Sequence, residues 1–214
     1  MIRDFIFRTV IMKIICIGRN YTQHIAELHN ERPDAPVVFL KPDSSILLKQ
    51  HPFVIPEFTN DVHHEIEVLV KINKVGKYID QKFASNYYDE IGLGIDFTAR
   101  DVQDELKKKG LPWEKAKAFD GSAVIGEFYP KSDFESVENI NFELHRNGEV
   151  VQKGNTSHML WTIDALISYV SQYFTLKKGD VIFTGTPAGV AKVQPNDILE
   201  GYLEGKKTFR IQVK

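Results

Sequence analysis

His63-His64-Glu65-Ile66-Glu67-Val68-Leu69-Val70 is the stretch from which the fold can be read. A short acidic alternation runs into β-branched and apolar residues, which is the pattern of a strand with a face in the core. Strand side chains alternate between faces, so Glu65 and Glu67 fall on one side and Ile66 and Val68 on the other. Two carboxylates about 7 Å apart along a strand, beside an apolar run, repel one another if both are buried and ionised. They therefore need solvent, protons or a cation. A solvated face of an antiparallel strand answers that need as simply as a binding site does.

Outward from this stretch, runs bounded by Gly, Pro, Asn or Asp predict strands over 14–17, 37–40, 46–48, 65–72 and 91–97, and later over 180–184 and 208–213. Segments 141–146 and 149–153 flank Asn147-Gly148, a hairpin turn whose two central positions both need positive φ. Helical spacing is rarer. Tyr21, Ile25 and Leu28 make one face over 21–29 and set His24 beside Glu27. A second helix is expected over 99–109, closed by Gly110 before Leu111-Pro112. A third, over 162–174, carries Ile163, Leu166, Ile167 and Val170 on one core-facing stripe. The expected fold class is α+β, mainly β, with a few short helices.

The chain has 214 residues, which at about 150 residues per domain suggests one large domain. Its 27 basic and 29 acidic residues leave a net charge of −2, which argues against a dedicated nucleic-acid binder. A hydrophobic fraction of 43% with nine prolines excludes a wholly disordered chain. No apolar stretch approaches the roughly 20 residues that cross a bilayer, so no membrane partner is expected. Arg3, Asp4 and Arg8 interrupt any leader over residues 1–11, and Met12-Lys13-Ile14-Ile15 offers a second start. Residues 1–11 are thus expected to be an N-terminal extension and residues 12–214 a single catalytic domain. Cys16, the one cysteine, sits in an apolar run and can form no internal disulfide, which fits a reducing compartment, the cytoplasm.

Asp96 ends the apolar strand Gly92-Leu93-Gly94-Ile95-Asp96-Phe97. Joined to Glu65 and Glu67 it would complete an all-oxygen site, which favours Mg²⁺ or Mn²⁺, with Ca²⁺ also admissible, over zinc and leaves about three octahedral positions open. His63 and His64 point to opposite strand faces and lack the spacing of a zinc motif, so a structural or supporting hydrogen-bonding role is expected of them. His24 and Glu27, three apart on a helix, are neighbours that can hydrogen-bond; by pattern alone they read first as an exposed surface pair. Arg100 and Gln103 lie one helical turn apart, and Lys117 follows the Leu111-Pro112-Trp113 turn, so all three can converge on one cavity, where Arg grips a carboxylate and Lys offers a compact charge. Lys107, Lys108 and Lys109 read as a solvated helix end that suits the helix dipole. Thr184-Gly185-Thr186-Pro187-Ala188-Gly189 reads as a strand running into a turn.

Six motifs follow one another in order: Ile17-Gly18-Arg19-Asn20-Tyr21; Phe39-Leu40-Lys41-Pro42; His64-Glu65-Ile66-Glu67; Asp96-Phe97-Thr98-Ala99-Arg100-Asp101-Val102-Gln103; Gly110-Leu111-Pro112-Trp113 with Ala116-Lys117; and Gly179-Asp180-Val181-Ile182-Phe183-Thr184-Gly185-Thr186-Pro187. In these the chain resembles the fumarylacetoacetate hydrolase superfamily, specifically its small acylpyruvase and oxaloacetate decarboxylase branch, from residue 12 to residue 214. The resemblance implies a mixed β-roll or barrel of the fumarylacetoacetate hydrolase C-terminal-domain type, a homodimer, and a divalent ion held by Glu65, Glu67 and Asp96. It further implies that the ion chelates the carboxylate and 2-oxo oxygens of a small 2-oxo acid, so that charge developing as a C–C bond breaks is stabilised as a metal enolate.

By the same resemblance His24 and Glu27 form a water-activating dyad, and Lys117 stands near the developing oxyanion. Arg19, Tyr21, Arg100, Gln103 and Thr186 then bind substrate, with Arg19 and Tyr21 lining one mouth. The implied activity is acylpyruvate hydrolysis, oxaloacetate decarboxylation, or both. The alternatives are isomerisation or decarboxylation of 2-hydroxyhepta-2,4-diene-1,7-dioate in aromatic catabolism, and non-catalytic binding of a 2-oxo acid.

Overall fold

A computed structural model of the chain describes residues 13–27 and 32–214; the expected extension over residues 1–11 lies outside them, as do positions 28 and 29 of the first expected helix. In chain order the first half comprises β1 (Ile14–Gly18), α1 (Thr22–Glu27), β2 (Val37–Lys41), β3 (Val62–His64), β4 (Ile66–Ile72), α2 (Gln81–Ala84), β5 (Tyr88–Asp96), β6 (Thr98–Ala99) and α3 (Arg100–Lys108). The second half comprises α4 (Glu114–Lys117), β7 (Ala123–Pro130), β8 (Asn141–Arg146), β9 (Glu149–Asn155), α5 (Ile163–Tyr173), β10 (Val181–Phe183), β11 (Ala191–Lys192), β12 (Ile198–Leu203) and β13 (Lys206–Gln212).

A six-stranded sheet in the order β2-β1-β10-β4-β5-β7 forms the frame. Its β1–β10 pair is parallel and its other pairs are antiparallel, which makes it the mixed sheet expected of a β-roll. A four-stranded sheet, β13-β12-β8-β9, and a three-stranded one, β11-β3-β6, complete the roll. β4 and β5 are interior strands of this sheet, and their apolar residues Ile66, Val68, Leu69, Ile91, Leu93 and Ile95 are wholly buried, which is why these segments read as nearly continuous hydrophobic runs rather than simple alternation.

Local chemistry explains the elements that the sequence predicts. Asn147 and Gly148 hold φ of 55° and 89° at the β8–β9 turn, as a type I′ hairpin requires. α3 ends where Gly110 adopts a φ of 63° and Leu111 N–H reaches back to the Leu106 carbonyl at 2.9 Å, a glycine C-terminal closure. Thr162 caps α5 by accepting a hydrogen bond from Ala165 N–H, and Ile163, Leu166, Ile167 and Val170 are buried as their stripe demands.

Three expectations are corrected. The strand over 46–48 reduces to a single bridge between Ile46 and Ala123, because the chain reverses at once through a turn closed by His51 N–H on the Leu48 carbonyl, with Gln50 at a φ of 67°. The strand over 65–72 begins at Ile66, since Glu65 sits between β3 and β4. β7 and β12 were not foreseen because Gly126 and Gly201 interrupt their patterns. Both glycines make room for one ring: a Cβ at Gly201 would lie 2.2 Å from Phe209, and one at Gly126 would lie 3.0 Å from it.

Gly94, in β5, faces the Val124 carbonyl so closely that a Cβ there would fall 2.1 Å from its oxygen. Gly94→Ala is therefore expected to destabilise the protein by about 3 kcal/mol, read as a lowered urea midpoint; an unchanged midpoint would mean that β5 and β7 can part without cost.

Candidate active site

Strand register brings the acids together. Ile66 pairs with Ile95 and Glu67 with Gly94, while Asp96 N–H donates to the Glu65 carbonyl at 2.9 Å. Cross-strand partners share a face, so Glu65, Glu67 and Asp96 all project to one side, and Gly94, opposite Glu67, contributes no side chain to cover them. Their nearest carboxylate oxygens lie within 4.8 Å of one another. The solvated-face reading fails, because Glu65, Glu67 and Asp96 are only 4%, 2% and 1% exposed.

Three cations from separate segments meet this charge. Lys117, from α4, places Nζ 2.8 Å from Glu65 Oε2, 2.7 Å from Asp96 Oδ2 and 2.7 Å from Thr98 Oγ1. Arg100 opens α3 and donates through Nη2 to Glu65 Oε1 and through Nη1 to Gln103 Oε1 at 2.6 Å. Lys41, at the end of β2, pairs with Asp96 Oδ1 at 2.7 Å and donates to the Lys117 carbonyl and to both oxygens of Ser122. Burial opposes ionisation of Glu65, yet Lys117 and Arg100 outweigh it and hold its carboxyl well below the usual range. Glu67 accepts a hydrogen bond from Gly185 N–H at 2.7 Å; burial, with Asp96 and Glu65 beside it, pushes its carboxyl well above the usual range. A carboxylate so disfavoured gains most from an added cation, and the all-oxygen donor set suits a hard divalent ion. The residues fit such an ion.

The cavity over these acids has a volume of about 30 Å³, and Arg19, His24, Gln103, Lys107 and Thr186 stand in its wall. Phe39 and Trp113 form an aromatic side of the same cavity, with ring centroids 6.1 Å apart. Arg19 adopts a φ of 60°, an unusual backbone state for a non-glycine residue. His24 Nδ1 lies 3.3 Å from Glu27 Oε2, and Gly189 N–H donates to both Glu27 oxygens at 3.0 and 3.2 Å, so α1 is fastened to the loop that follows Pro187. Burial lowers the His24 pKa, against the opposing influence of Glu65 and Glu27, and favours the neutral imidazole.

Some placements differ from the sequence reading. Tyr21 does not share the mouth with Arg19: it lies in the wall of an adjoining cavity of about 140 Å³ with Thr22, Lys153 and Pro187. Its ring packs edge-on against Phe142 at 6.3 Å and its buried hydroxyl has no hydrogen-bond partner among the described residues. Lys107 is no simple solvated helix end: burial, with Arg100 nearby, lowers its pKa to about 8, and its Nζ lies 5.6 Å from the Trp113 ring centroid. Lys41 was given no role by sequence reasoning, although it lies in the Phe39-Leu40-Lys41-Pro42 motif and closes an otherwise apolar strand. His63 bonds Asp61 at 3.0 Å and His64 bonds Gln152 at 2.8 Å, the supporting roles expected of them. Cys16 is a buried free cysteine, its thiol pushed up by burial. Among the described residues no helix is long and apolar enough to cross a membrane.

Comparison with known proteins agrees with this geometry. Residues 13–214 match the family model described as fumarylacetoacetate (FAA) hydrolase C-terminal. The chain is 41% identical over 201 residues to the mitochondrial oxaloacetate tautomerase FAHD1 of Bos taurus, covering 94% of this chain and 91% of that protein. It is 42% identical over 197 residues to a mitochondrial oxaloacetate decarboxylase of Dictyostelium discoideum, covering 92% of this chain and 90% of that protein. The crystal structure of fumarylpyruvate hydrolase from Pseudomonas aeruginosa, in complex with Mn²⁺ and pyruvate, superimposes with a TM-score of 0.89 at 32% identity, covering 95% of this chain and 89% of the other.

Two measurements check the electrostatics. Lys41→Met removes one of the two buried lysines paired with Asp96, leaving Lys117, and is expected to cost about 3 kcal/mol of stability, while Mn²⁺ binds more tightly because a competing cation is gone. Weaker Mn²⁺ binding in that variant would contradict the charge balance. His64, its pKa pulled down to about 4 by burial, binds protons less readily folded than unfolded, so its contribution to stability is complete above about pH 6.5 and is lost as pH falls toward 4. Its ring NMR signals should stay those of the neutral form, protonated at Nδ1, through pH 5; protonation near pH 6.5 would overturn this.

Proposed function

This chain belongs to the fumarylacetoacetate hydrolase family, and from that premise we propose that it is a divalent-metal-dependent enzyme that cleaves a C–C bond in small 2-oxo acids, by decarboxylating oxaloacetate, hydrolysing acylpyruvates, or both. The observation that carries the proposal is the buried set Glu65, Glu67 and Asp96, which shares one cavity with Lys117 and Arg100 and is paired at Asp96 with Lys41. A divalent ion favours ionised Glu67, whose carboxyl burial otherwise pushes up, and the cations of the cavity wall, Arg19, Arg100, Lys107 and Lys117, suit an anionic ligand. Oxaloacetate is a small 2-oxo acid with two carboxylates.

In this reading Glu65, Glu67 and Asp96 hold Mg²⁺ or Mn²⁺, or Ca²⁺ on the same oxygens. When bound, the ion supplies Lewis acidity to the ligand's oxygens. Arg100, whose buried Nε has no hydrogen-bond partner, and Gln103, whose amide nitrogen stays available while its oxygen accepts from Arg100, grip the ligand carboxylate. The Thr186 hydroxyl donates to the same group. Lys117 keeps a positive charge beside the oxygen on which negative charge grows as the C–C electron pair moves away. His24, neutral and oriented by Glu27, takes the proton from a water that attacks the distal carbonyl in hydrolysis. Decarboxylation requires no such water, and there the carbon released from CO₂ is reprotonated. Residues 12–214 act as one catalytic domain, assembled as a homodimer in a reducing compartment such as the cytoplasm.

A second reading is favoured by the name of the bovine relative: keto–enol tautomerisation of oxaloacetate, in which His24 moves a proton between carbon and oxygen, a C–H bond is exchanged for an O–H bond, and no C–C bond breaks.

Proton NMR of products with Mg²⁺ restored to the stripped protein separates these readings. Acetate plus pyruvate from acetylpyruvate means hydrolysis, pyruvate from oxaloacetate beyond the Mg²⁺ blank means decarboxylation, and faster enol–keto exchange alone means tautomerisation. Conversion of none of these overturns the proposal. His24→Ala is expected to lower hydrolysis by about 100-fold or more while Mn²⁺ affinity is kept; hydrolysis at the parent rate would remove His24 from the mechanism.

A further inference from the structure

Gln152 points inward from β9, at the edge of the four-stranded sheet, and is 2% exposed. All of its hydrogen-bonding capacity is engaged. Oε1 accepts from Ile66 N–H at 3.1 Å and lies 2.8 Å from His64 Nδ1; Nε2 donates to Thr186 Oγ1 at 3.0 Å and to the Pro187 carbonyl at 3.1 Å. The two backbone groups settle which way the amide faces, because an N–H can only donate and a carbonyl can only accept. Turned over, the amide would set its NH₂ against Ile66 N–H and its oxygen against the Pro187 carbonyl. His64 must then carry its proton on Nδ1, and its buried Nε2, which has no partner, is a bare lone pair.

This has a consequence at the cavity. Thr186 Oγ1 already receives a hydrogen from Gln152, so its own proton must point elsewhere, and the Pro187 carbonyl, at 3.5 Å, is too far to hold it well. Thr186 stands in the wall of the acid cavity, where a negatively charged ligand oxygen can accept that proton. We propose that Gln152 is a positioning residue that fixes the polarity of the Thr186 hydroxyl, making it a donor toward an anionic oxygen of the bound 2-oxo acid. The proposal rests on the reading of Thr186 as a ligand contact. His64 and Ile66 flank Glu65, so one amide sets both the acid-bearing segment and the hydroxyl that meets the ligand.

The test uses pyruvate as the probe and the Mn²⁺-loaded full chain, with pyruvate Kd from isothermal titration and Mn²⁺ Kd measured separately. In Gln152→Glu the new carboxylate oxygen accepts the Thr186 proton and turns the hydroxyl's lone pairs to the ligand. Pyruvate Kd is expected to rise about tenfold, with Mn²⁺ Kd changed by less than about threefold. In a Thr186→Val background the same change should add less than about twofold, since the hydroxyl through which Gln152 acts is gone. Thr186→Ser, which keeps the hydroxyl, should bind pyruvate nearly as the parent does. If the buried carboxylate prevents folding, Gln152→Met frees the hydroxyl to turn either way, and a loss of about threefold is expected, again only where Thr186 is present. An equal loss with and without the Thr186 hydroxyl, or no loss in the parent background, overturns the proposal. Parent-like pyruvate binding by Thr186→Val overturns it as well, by removing the hydroxyl from the ligand. A parent that binds Mn²⁺ but no pyruvate overturns the functional reading itself, and this proposal with it.

Discussion

Three carboxylates buried on one face of one strand pair are the constraint around which the molecule is arranged. Glu65, Glu67 and Asp96 repel one another at the separations that the β4–β5 register imposes, and in a medium of low polarity that repulsion is strong. The chain answers it by bringing Lys41 from the end of β2, Arg100 from the start of α3 and Lys117 from α4 to the same point. None of the three is near the others in sequence, so the long-range topology of the roll is what supplies the counter-charge. The same topology makes the pocket polar inside and closed by Phe39 and Trp113 at one side.

The acids stand on β4, on the residue just before it and at the end of β5, where Gly94 leaves them uncovered and tight packing against β7 holds the backbone in place. The groups assigned to the ligand come from different sources: α1 and the segment after β10, which are joined by Gly189 N–H on Glu27, and the start of α3. A rigid acid floor with its ligand-facing groups carried by short helices and turns is the division of labour that lets one scaffold keep a charge centre while varying what meets the substrate.

Much of this was legible in the chain. Alternation at Glu65 and Glu67 placed two carboxylates on one face, Asn147-Gly148 located a hairpin, and the stripe of α5 located a core helix. Periodicity could not show that Asp96 lies across from Glu65, because register is a relation between strands. Nor could it distinguish Lys41, wholly buried, from a lysine that merely ends a strand in solvent. Gly126 and Gly201 hid β7 and β12, since the need they meet, room for Phe209, arises only when the sheets pack. Gln152 lies within the predicted hairpin segment 149–153 with nothing in the pattern to single it out. Arg19 and the roles of His24 and Thr186 entered through motif resemblance rather than pattern, and Tyr21, given its role in the same way, falls in another cavity.

The most direct measurement is a Mn²⁺ titration of chelator-stripped protein followed by the electron paramagnetic resonance of the free ion, for the parent and for Glu67→Gln. One Mn²⁺ per chain is expected, with binding largely lost in the variant while its fold, read by circular dichroism, is kept. Failure of the parent to bind, or equal binding by a folded Glu67→Gln protein, would contradict the central role of the buried carboxylates.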